Sequence, residues 1–390
     1  MKNHSGRIVL LILLTAAASL PAQVTHVLDI PPRLQWDNDG GYCGETSIQS
    51  IALYYGNYIS QDFCRNVAGG EVLIGNDNGE VALDAFSFNI EEWDYGQATP
   101  QYQDHLVWLK SHIARDHPVI ITVFVAGENS SEYDHIVPAI GYSSTDTTAF
   151  HNSDQLMFND NYASTTYTRT FGSIWDDRFM NGNGATYDYC IPQEVNYACA
   201  VTGIKDLAHV TKPLHMSINR WDEPNVTQGE NPVLLTGTLV AESLQVGNRY
   251  ALLRYNDYHL VPSSGFNPTG ASSTTYFVAT GSTYTTTATF MSNTAVFFRC
   301  VPDIFTSTEP ESTDQQIEVS AYPNPVTDFL HVVAPANANI EILGMDGRLI
   351  SSKSNRKPKN ALDVRELSSG TYVLRVSAGG RVAARKFVKE

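Results

Sequence analysis

Gln35-Trp-Asp-Asn-Asp-Gly-Gly-Tyr-Cys43-Gly-Glu-Thr-Ser47 runs without a break into Ile48-Gln-Ser-Ile-Ala-Leu-Tyr-Tyr55. Ile48, Ile51, Ala52 and Tyr55 recur at helical spacing, so a helix is predicted to begin near Cys43. The polar, Gly-rich run before it cannot be helical. A cysteine at a helix N-terminus feels the positive end of the helix dipole, which lowers a thiol pKa from about 8.5 and favours the thiolate. Gln35, upstream, can bring a side-chain amide to the same helix end as an oxyanion donor. The plainer alternative makes Cys43 a buried small residue or half of a disulfide, and Gln35 a surface residue.

Working outward, His117-Pro-Val-Ile-Ile-Thr-Val-Phe-Val125 is a strongly apolar strand. A polar turn from Gly127 to Asp134 leads into His135-Ile-Val-Pro-Ala-Ile-Gly-Tyr142, and a second turn into Gln155-Leu-Met-Phe-Asn-Asp160-Asn-Tyr162. Three consecutive antiparallel strands are predicted, with His135 opening the second and Asp160 closing the third. Those two ends are neighbours in an antiparallel pair. Asp160 can therefore hydrogen-bond one imidazole nitrogen of His135, fix its tautomer, and leave the other nitrogen to serve Cys43. The alternative is a solvent-facing histidine and an aspartate in an ordinary turn.

In this order, Gln-x7-Cys at a helix start, an apolar strand opened by His-Pro, Asp-His before a strand ending Gly-Tyr, and a strand ending Asn-Asp resemble the papain-like fold. Within it, the likeness is to the bacteriocin-leader-processing (double-glycine) peptidases, over about residues 30–165. The resemblance implies an α+β domain that hydrolyses peptide bonds. Cys43 would be the nucleophile, His135 the general base and acid, Asp160 the orienter and Gln35 the oxyanion donor, with Asn159 or Asn161 as substitutes for Asp160. Two features depart from the group. Its best-known members are domains of membrane transporters, whereas no stretch here spans a bilayer, and Asn161 follows the aspartate where proline is common.

The rest of the chain sets the context. With 390 residues, two or three domains are expected. Residues 1–22 read as a signal peptide: Lys2 and Arg7, a short apolar run from Ile8 to Leu14, then small residues up to Ala22. Residues 23–212 form the papain-like part. Residues 213–308 are nearly all strand-like, at 214–219, 232–241, 250–255, 275–280 and 295–301, and predict a β-sandwich. A polar linker is expected at 309–317. Beyond it, Ala321-Tyr-Pro-Asn-Pro-Val326, Phe329-Leu-His-Val332, Ile340-Glu-Ile-Leu343, Gly344-Met-Asp-Gly347, Leu367-Ser-Ser-Gly-Thr-Tyr-Val-Leu374 and Arg385-Lys-Phe-Val-Lys389 are short alternating strands joined by tight turns. They resemble the C-terminal sorting domain of type IX secretion substrates, over about residues 318–390. That likeness implies a small all-β domain, the type IX secretion machinery as a partner, and a secreted or cell-surface destination.

Residues 23–344 hold 12 Lys and Arg against 37 Asp and Glu, which argues against nucleic acid or an anionic membrane as partner. Five cysteines in an exported chain leave an odd thiol, and Cys190 and Cys199 flank a short loop that a disulfide could close. His105, His112 and His117 lack the spacing of a zinc site, and Tyr102–His112 reads as an amphipathic helix with a solvated histidine side. Asp37-Asn-Asp-Gly and Gly75-Asn-Asp-Asn-Gly-Glu80 lack a full calcium-loop pattern and read as turns. Neither a metal nor a cofactor is expected. A secreted cysteine peptidase is the leading expectation. A catalytically inactive papain-like binding module, favoured if Cys43 proves buried or disulfide-bonded, and a surface adhesin using the sandwich are the alternatives.

Overall fold

The computed structural model describes residues 23–36, 41–125, 135–174, 189–219, 221–223, 232–303, 319–344, 349–354, 357–378 and 381–390. The expected signal peptide, the Asp37–Gly40 turn, the Gly127–Asp134 turn and the linker lie outside the described residues. The chain divides into two compact units, residues 1–304 and 305–390.

The first unit opens with β1 (Val24–Val27), α1 (Cys43–Tyr54), β2 (Tyr58–Ile59), α2 (Gln61–Ala68), α3 (Asn78–Ala85), β3 (Phe88–Glu92) and α4 (Tyr102–Ile113). It continues through β4 (Val119–Val125), β5 (His135–Ser144), β6 (Gln155–Asp160), β7 (Thr165–Thr170), β8 (Tyr189–Cys190) and β9 (Ala198–Ile204). One antiparallel sheet runs β3-β9-β4-β5-β6-β7, with β1 on β5 and β8 on β4. β4 is rich in β-branched residues and buried on both faces, so it reads as one continuous apolar run. Successive side chains point to opposite sides. Ile120 and Ile136 join the core of α1 with Ile48, Ile51 and Ala52. Val119, Ile121, Val123 and Val137 join Leu106, Leu109 and Ile113 of α4. The central sheet is thus covered by α1 on one face and α4 on the other.

α1 is buried on all sides, polar residues included, and those polar groups are bonded, as burial requires. Gln49 donates to Ile59 O and to Glu223, and Ser50 to Thr46 O. Gly44 passes so close to α1's neighbour chain that a Cβ would lie 2.5 Å from the Val72 carbonyl oxygen. Gly44→Ala is therefore expected to cost about 1–3 kcal/mol despite alanine's better helix propensity, read as a fall in the denaturant midpoint.

Six further strands follow: β10 (Leu214–Ser217), β11 (Leu234–Ala241), β12 (Arg249–Tyr255), β13 (Ser273–Val278), β14 (Tyr284–Met291) and β15 (Ala295–Pro302). They form two sheets, β10-β11-β14 and β13-β12-β15-β2. β14, Tyr-Thr-Thr-Thr-Ala-Thr-Phe-Met, was not among the strands expected from sequence. The fourth strand of the second sheet is β2, which pairs Ile59 with Ala295 and Tyr58 with Val296. Alternation again divides the faces. Leu252, Phe298 and Cys300 pack with Leu235, Leu239 and Phe290 between the two sheets. Ala251, Leu253, Tyr255, Phe297 and Val301 share the core of α1.

Two expectations are corrected. All five cysteines are thiols. Cys190 faces Phe124 and Cys199 faces Ile120 along the same edge of β4. Four residues of strand separate the two by roughly 13 Å, about twice the Cα distance a disulfide tolerates. The histidine side of α4 is also not solvated, because His105 and His112 are buried, His105 against Trp93 and His112 against Trp108. Burial lowers the His105 pKa to about 3 and lowers that of His112 as well. The unfolded chain binds these protons near pH 6.5 while the folded chain refuses them, so stability is full above pH 6.5 and is lost as pH falls below it. Each histidine is expected to weaken folding roughly tenfold per pH unit there, and His105→Phe to flatten the acid limb of the stability profile.

The second unit holds β16 (Ser320–Tyr322), β17 (Phe329–Val333), β18 (Asn339–Gly344), β19 (Leu349–Ser354), β20 (Lys359–Asp363), β21 (Gly370–Ala378) and β22 (Arg381–Lys389). Its sheets, β16-β17-β20 and β19-β18-β21-β22, enclose Leu330, Val332, Ile340, Ile342, Leu374 and Phe387. Among the described residues, the protein is sheet-rich and antiparallel with four α-helices. None of these helices is long and apolar enough to cross a membrane.

Candidate active site

Cys43 is the first residue of α1, and the backbone N–H of Ile136 donates to its sulfur. Ile136 follows His135 at the start of β5, so the helix start and the strand start adjoin here. Asn161 fastens this junction. Its side-chain amide donates to Cys43 O at 2.9 Å, Ser47 Oγ at 3.1 Å and Ile136 O at 3.1 Å. Asn159 instead donates to Ile30 O and accepts from Thr166 Oγ1. Both ends of the Asn159 amide are thus engaged, whereas Asn161 Oδ1 is buried without a hydrogen-bond partner.

Asp160 closes β6, and its Oδ1 lies 3.7 Å from His135 Nε2, an ion-pair distance rather than a close hydrogen bond. The carboxylate accepts from Tyr189 Oη at 2.5 Å, from Tyr162 N–H at 2.8 Å and from Ala163 N–H at 3.0 Å. Burial works to raise its pKa, but the nearby His135 imidazole and the bonds from Tyr189 and the two backbone amides prevail and hold it below the usual carboxylate value. Two tyrosines flank the imidazole. The Tyr162 ring stacks on it at 4.2 Å and 11°, and Tyr189 at 5.5 Å and 23°. His135 is 1% exposed whereas Tyr162 is 50% exposed, so Tyr162 shields the ring from water.

Gln35 reaches the same place through its backbone N–H, which donates to Asn161 O at 2.9 Å. Its side-chain Oε1 is buried without a hydrogen-bond partner. The turn before Cys43 is braced by Arg65, whose Nε donates to the buried Glu45 at 2.7 Å and whose guanidinium lies 3.6 Å above the Tyr42 ring. The electrostatics of the thiol differ from the sequence expectation. Burial pushes Cys43 up to about 12, Glu45 and Glu71 add to the rise, and the N–H groups of Ile136 and Gly44 oppose it without reversing it. At rest the sulfur is a neutral thiol. Its alkylation by iodoacetamide is expected to rise about tenfold per pH unit from neutrality toward alkaline pH, with no plateau near the ordinary thiol value of about 8.5. A plateau at lower pH would show that burial does not govern this group.

Tyr162 and Tyr189 were not singled out from sequence. Tyr162 had a signal, as an aromatic two positions beyond Asp160. Tyr189 comes from β8, far along the chain, and had none. The Gly75–Glu80 stretch caps α3: Asp77 is its N-cap, and Glu80 accepts from the Gly75 and Asp77 N–H groups. Among the described residues no group of His, Cys, Asp or Glu side chains is arranged to hold a metal ion.

With the surroundings of Gln35, Cys43, His135 and Asp160 described, the relatives of this region become informative. Residues 27–183 match the Peptidase_C39 like family. This peptidase-like region takes in all four residues. Residues 320–390 match the secretion system C-terminal sorting domain, which indicates export to the cell surface or secretion and implies interaction with the type IX machinery. No curated protein matches the chain. Among solved structures, PorZ, a surface component of the type IX secretion system of Porphyromonas gingivalis, is 16% identical over 26% of this chain and 15% of that one, with a TM-score of 0.19. Dimeric latent PorU from the same organism is 11% identical over 70% of this chain and 29% of that one, with a TM-score of 0.16. A BSP domain of a biofilm-associated protein is 9% identical over 70% and 60%, with a TM-score of 0.14. Superpositions this poor establish no shared fold, and the chain spans only a part of each of these proteins.

Proposed function

We propose that this chain is an exported cysteine peptidase whose papain-like region hydrolyses peptide bonds through Cys43, His135 and Asp160, with Gln35 as oxyanion donor. The observation that supports this reading is the N–H of Ile136, the residue after His135, on the Cys43 sulfur, with His135 Nε2 3.7 Å from Asp160 Oδ1. With Nε2 turned to the carboxylate, Nδ1 is the nitrogen assigned to the thiol proton. Attack of sulfur on the substrate carbonyl forms the S–C bond as the S–H proton passes to Nδ1. The imidazolium then protonates the departing amine, the C–N bond breaks, and an acyl-enzyme remains. Water adds to that carbonyl, giving its proton to Nδ1, and the thiol leaves with the proton returned. Asp160, held ionised by three donors besides His135, stabilises the imidazolium in both steps. Because the resting sulfur is neutral, proton transfer accompanies attack instead of preceding it. In the same reading, residues 1–22 direct export and are removed.

The test is digestion of a diverse peptide mixture by the mature protein, with mass spectrometry of the products. Cleavage that disappears in Cys43→Ala supports the proposal, and cleavage that persists there refutes it. The burial of Cys43 and its raised pKa favour a second reading, a papain-like binding module. That reading predicts peptides retained intact, equally by wild type and by Cys43→Ala.

A further inference from the structure

A cleft of about 660 Å³ opens at the C-terminal end of α1, where Tyr54 and Tyr55 face strands of the sandwich. The helix places it roughly 17 Å from the thiol, at the rise of 1.5 Å per residue. It is unlike the rest of this acidic chain. Its lining gathers Arg115, His117, His209, Lys212, His215 and Arg299, against the carboxylates of Asp116, Asp206 and Glu242. Two of those carboxylates are engaged. Asp206 accepts from Thr211 N–H at 2.7 Å and Thr211 Oγ1 at 2.8 Å, and Asp116 faces His26 Nε2 at 2.9 Å.

Arg299 is the residue that requires explanation. It projects from β15 and is 1% exposed. One terminal nitrogen, Nη1, donates to Asn57 Oδ1 and Phe298 O, each at 2.8 Å. Nε and Nη2 are buried with no hydrogen-bond partner, and so is Nδ1 of His215 across the same cleft. An orphaned buried donor is costly, and more so when charged, so two on one guanidinium are a large deficit to leave unfilled. Nε and Nη2 together form the side edge of the guanidinium, two parallel N–H groups spaced to meet the two oxygens of a planar carboxylate.

We propose that this cleft binds a small carboxylate-bearing ligand, its two oxygens on the Nε–Nη2 edge of Arg299, with Lys212 and His215 in the same lining. The negative end of the α1 dipole opposes an anion here more weakly than one charge-assisted hydrogen bond to the guanidinium favours it. The cavity lies within the range of small-molecule sites, about 300–1,000 Å³, which suits an organic acid or the free C-terminus of a short peptide.

Calorimetric titration of the mature protein tests this with three probes: citrate, N-acetyl-Ala-Ala with a free carboxylate, and the same dipeptide as its C-terminal amide. Saturable one-to-one binding of citrate or of the acid dipeptide, tenfold or more weaker in Arg299→Gln and severalfold weaker in Lys212→Ala, is expected. The amide is expected not to bind. Citrate alone would identify an organic acid, and the acid dipeptide a peptide terminus. Absence of saturable binding of either carboxylate up to about 1 mM would overturn the proposal. So would binding left unchanged by Lys212→Ala, the partly exposed variant that serves if Arg299→Gln does not fold. Cys43→Ala is expected to bind as wild type does, so failure of this inference and failure of the peptidase reading are distinguishable.

Discussion

If the chain cleaves peptides as proposed, His135→Ala is expected to lower kcat/KM by about 10³-fold, within the span of general acid–base catalysis, and Asp160→Ala by only about ten- to a hundredfold. The ranking follows from geometry. In the proposed reaction His135 handles the proton in both halves, and its Nε2 faces Asp160. In that reaction Asp160 would act across 3.7 Å, a separation that orients and stabilises an imidazolium without a short bond. The two stacked tyrosines also hold the ring, so part of the orientation survives loss of the carboxylate. Tyr189→Phe separates these contributions, because it keeps the ring and removes the hydroxyl that donates to Asp160. That donor is among the causes of the depressed Asp160 pKa, so its loss raises that pKa. The acid limb of the kcat/KM profile should then move to higher pH, with kcat at its optimum changed little. Equal losses in His135→Ala and Asp160→Ala would instead show that the pair acts as one unit.

Lys110→Ala should be the most damaging single substitution for the stability of the first unit, by about 3–5 kcal/mol. The side chain of Lys110 is fully buried in α4, and its ammonium donates to Ser144 Oγ at 3.1 Å, to Asp146 O and Ala149 O at 2.7 Å each, and to Asp154. Truncation leaves the Asp154 carboxylate, 1% exposed, without its counter-charge and two carbonyls without a donor. Thermal unfolding should start roughly 6–15 °C lower at neutral pH. A double change, Lys110→Met with Asp154→Leu, removes both charges and should recover much of the loss, since the penalty lies in the uncompensated ion. If the single variant unfolds as wild type does, water reaches that site and the burial is only apparent.

What the sequence made legible follows physical range. The start of α1 at Cys43 and the β4–β5–β6 succession are written in local periodicity and in turn residues, and His135 and Asp160 meet because antiparallel strands force their ends together. β14 was hidden because four threonines in a half-exposed strand resemble a polar loop. The burial of His105 and His112 depends on Trp93 and Trp108 closing over them, which helical spacing alone cannot register. Tyr189 reaches the site only through the pairing of β8 with β4, a contact set by the whole sheet. The thiol's pKa went the other way for a related reason: the helix dipole is a local quantity, and desolvation depends on everything packed around the residue.

The two-residue strand β2 has a consequence for how this molecule is handled and inherited. Residues 213–303 expressed alone would present the edge of β15 bare, a row of unpaired backbone donors and acceptors beside a strand whose inner faces are apolar. Such an edge recruits other copies, and the fragment should collect in inclusion bodies to a greater extent than residues 23–303 do. A chimera that replaces the sandwich with another module would have to supply a partner for Tyr58 and Ile59 as well as a new surface for α1. The junction near residue 212 is thus a poor place to cut, whether by a cloning primer or by recombination between genes.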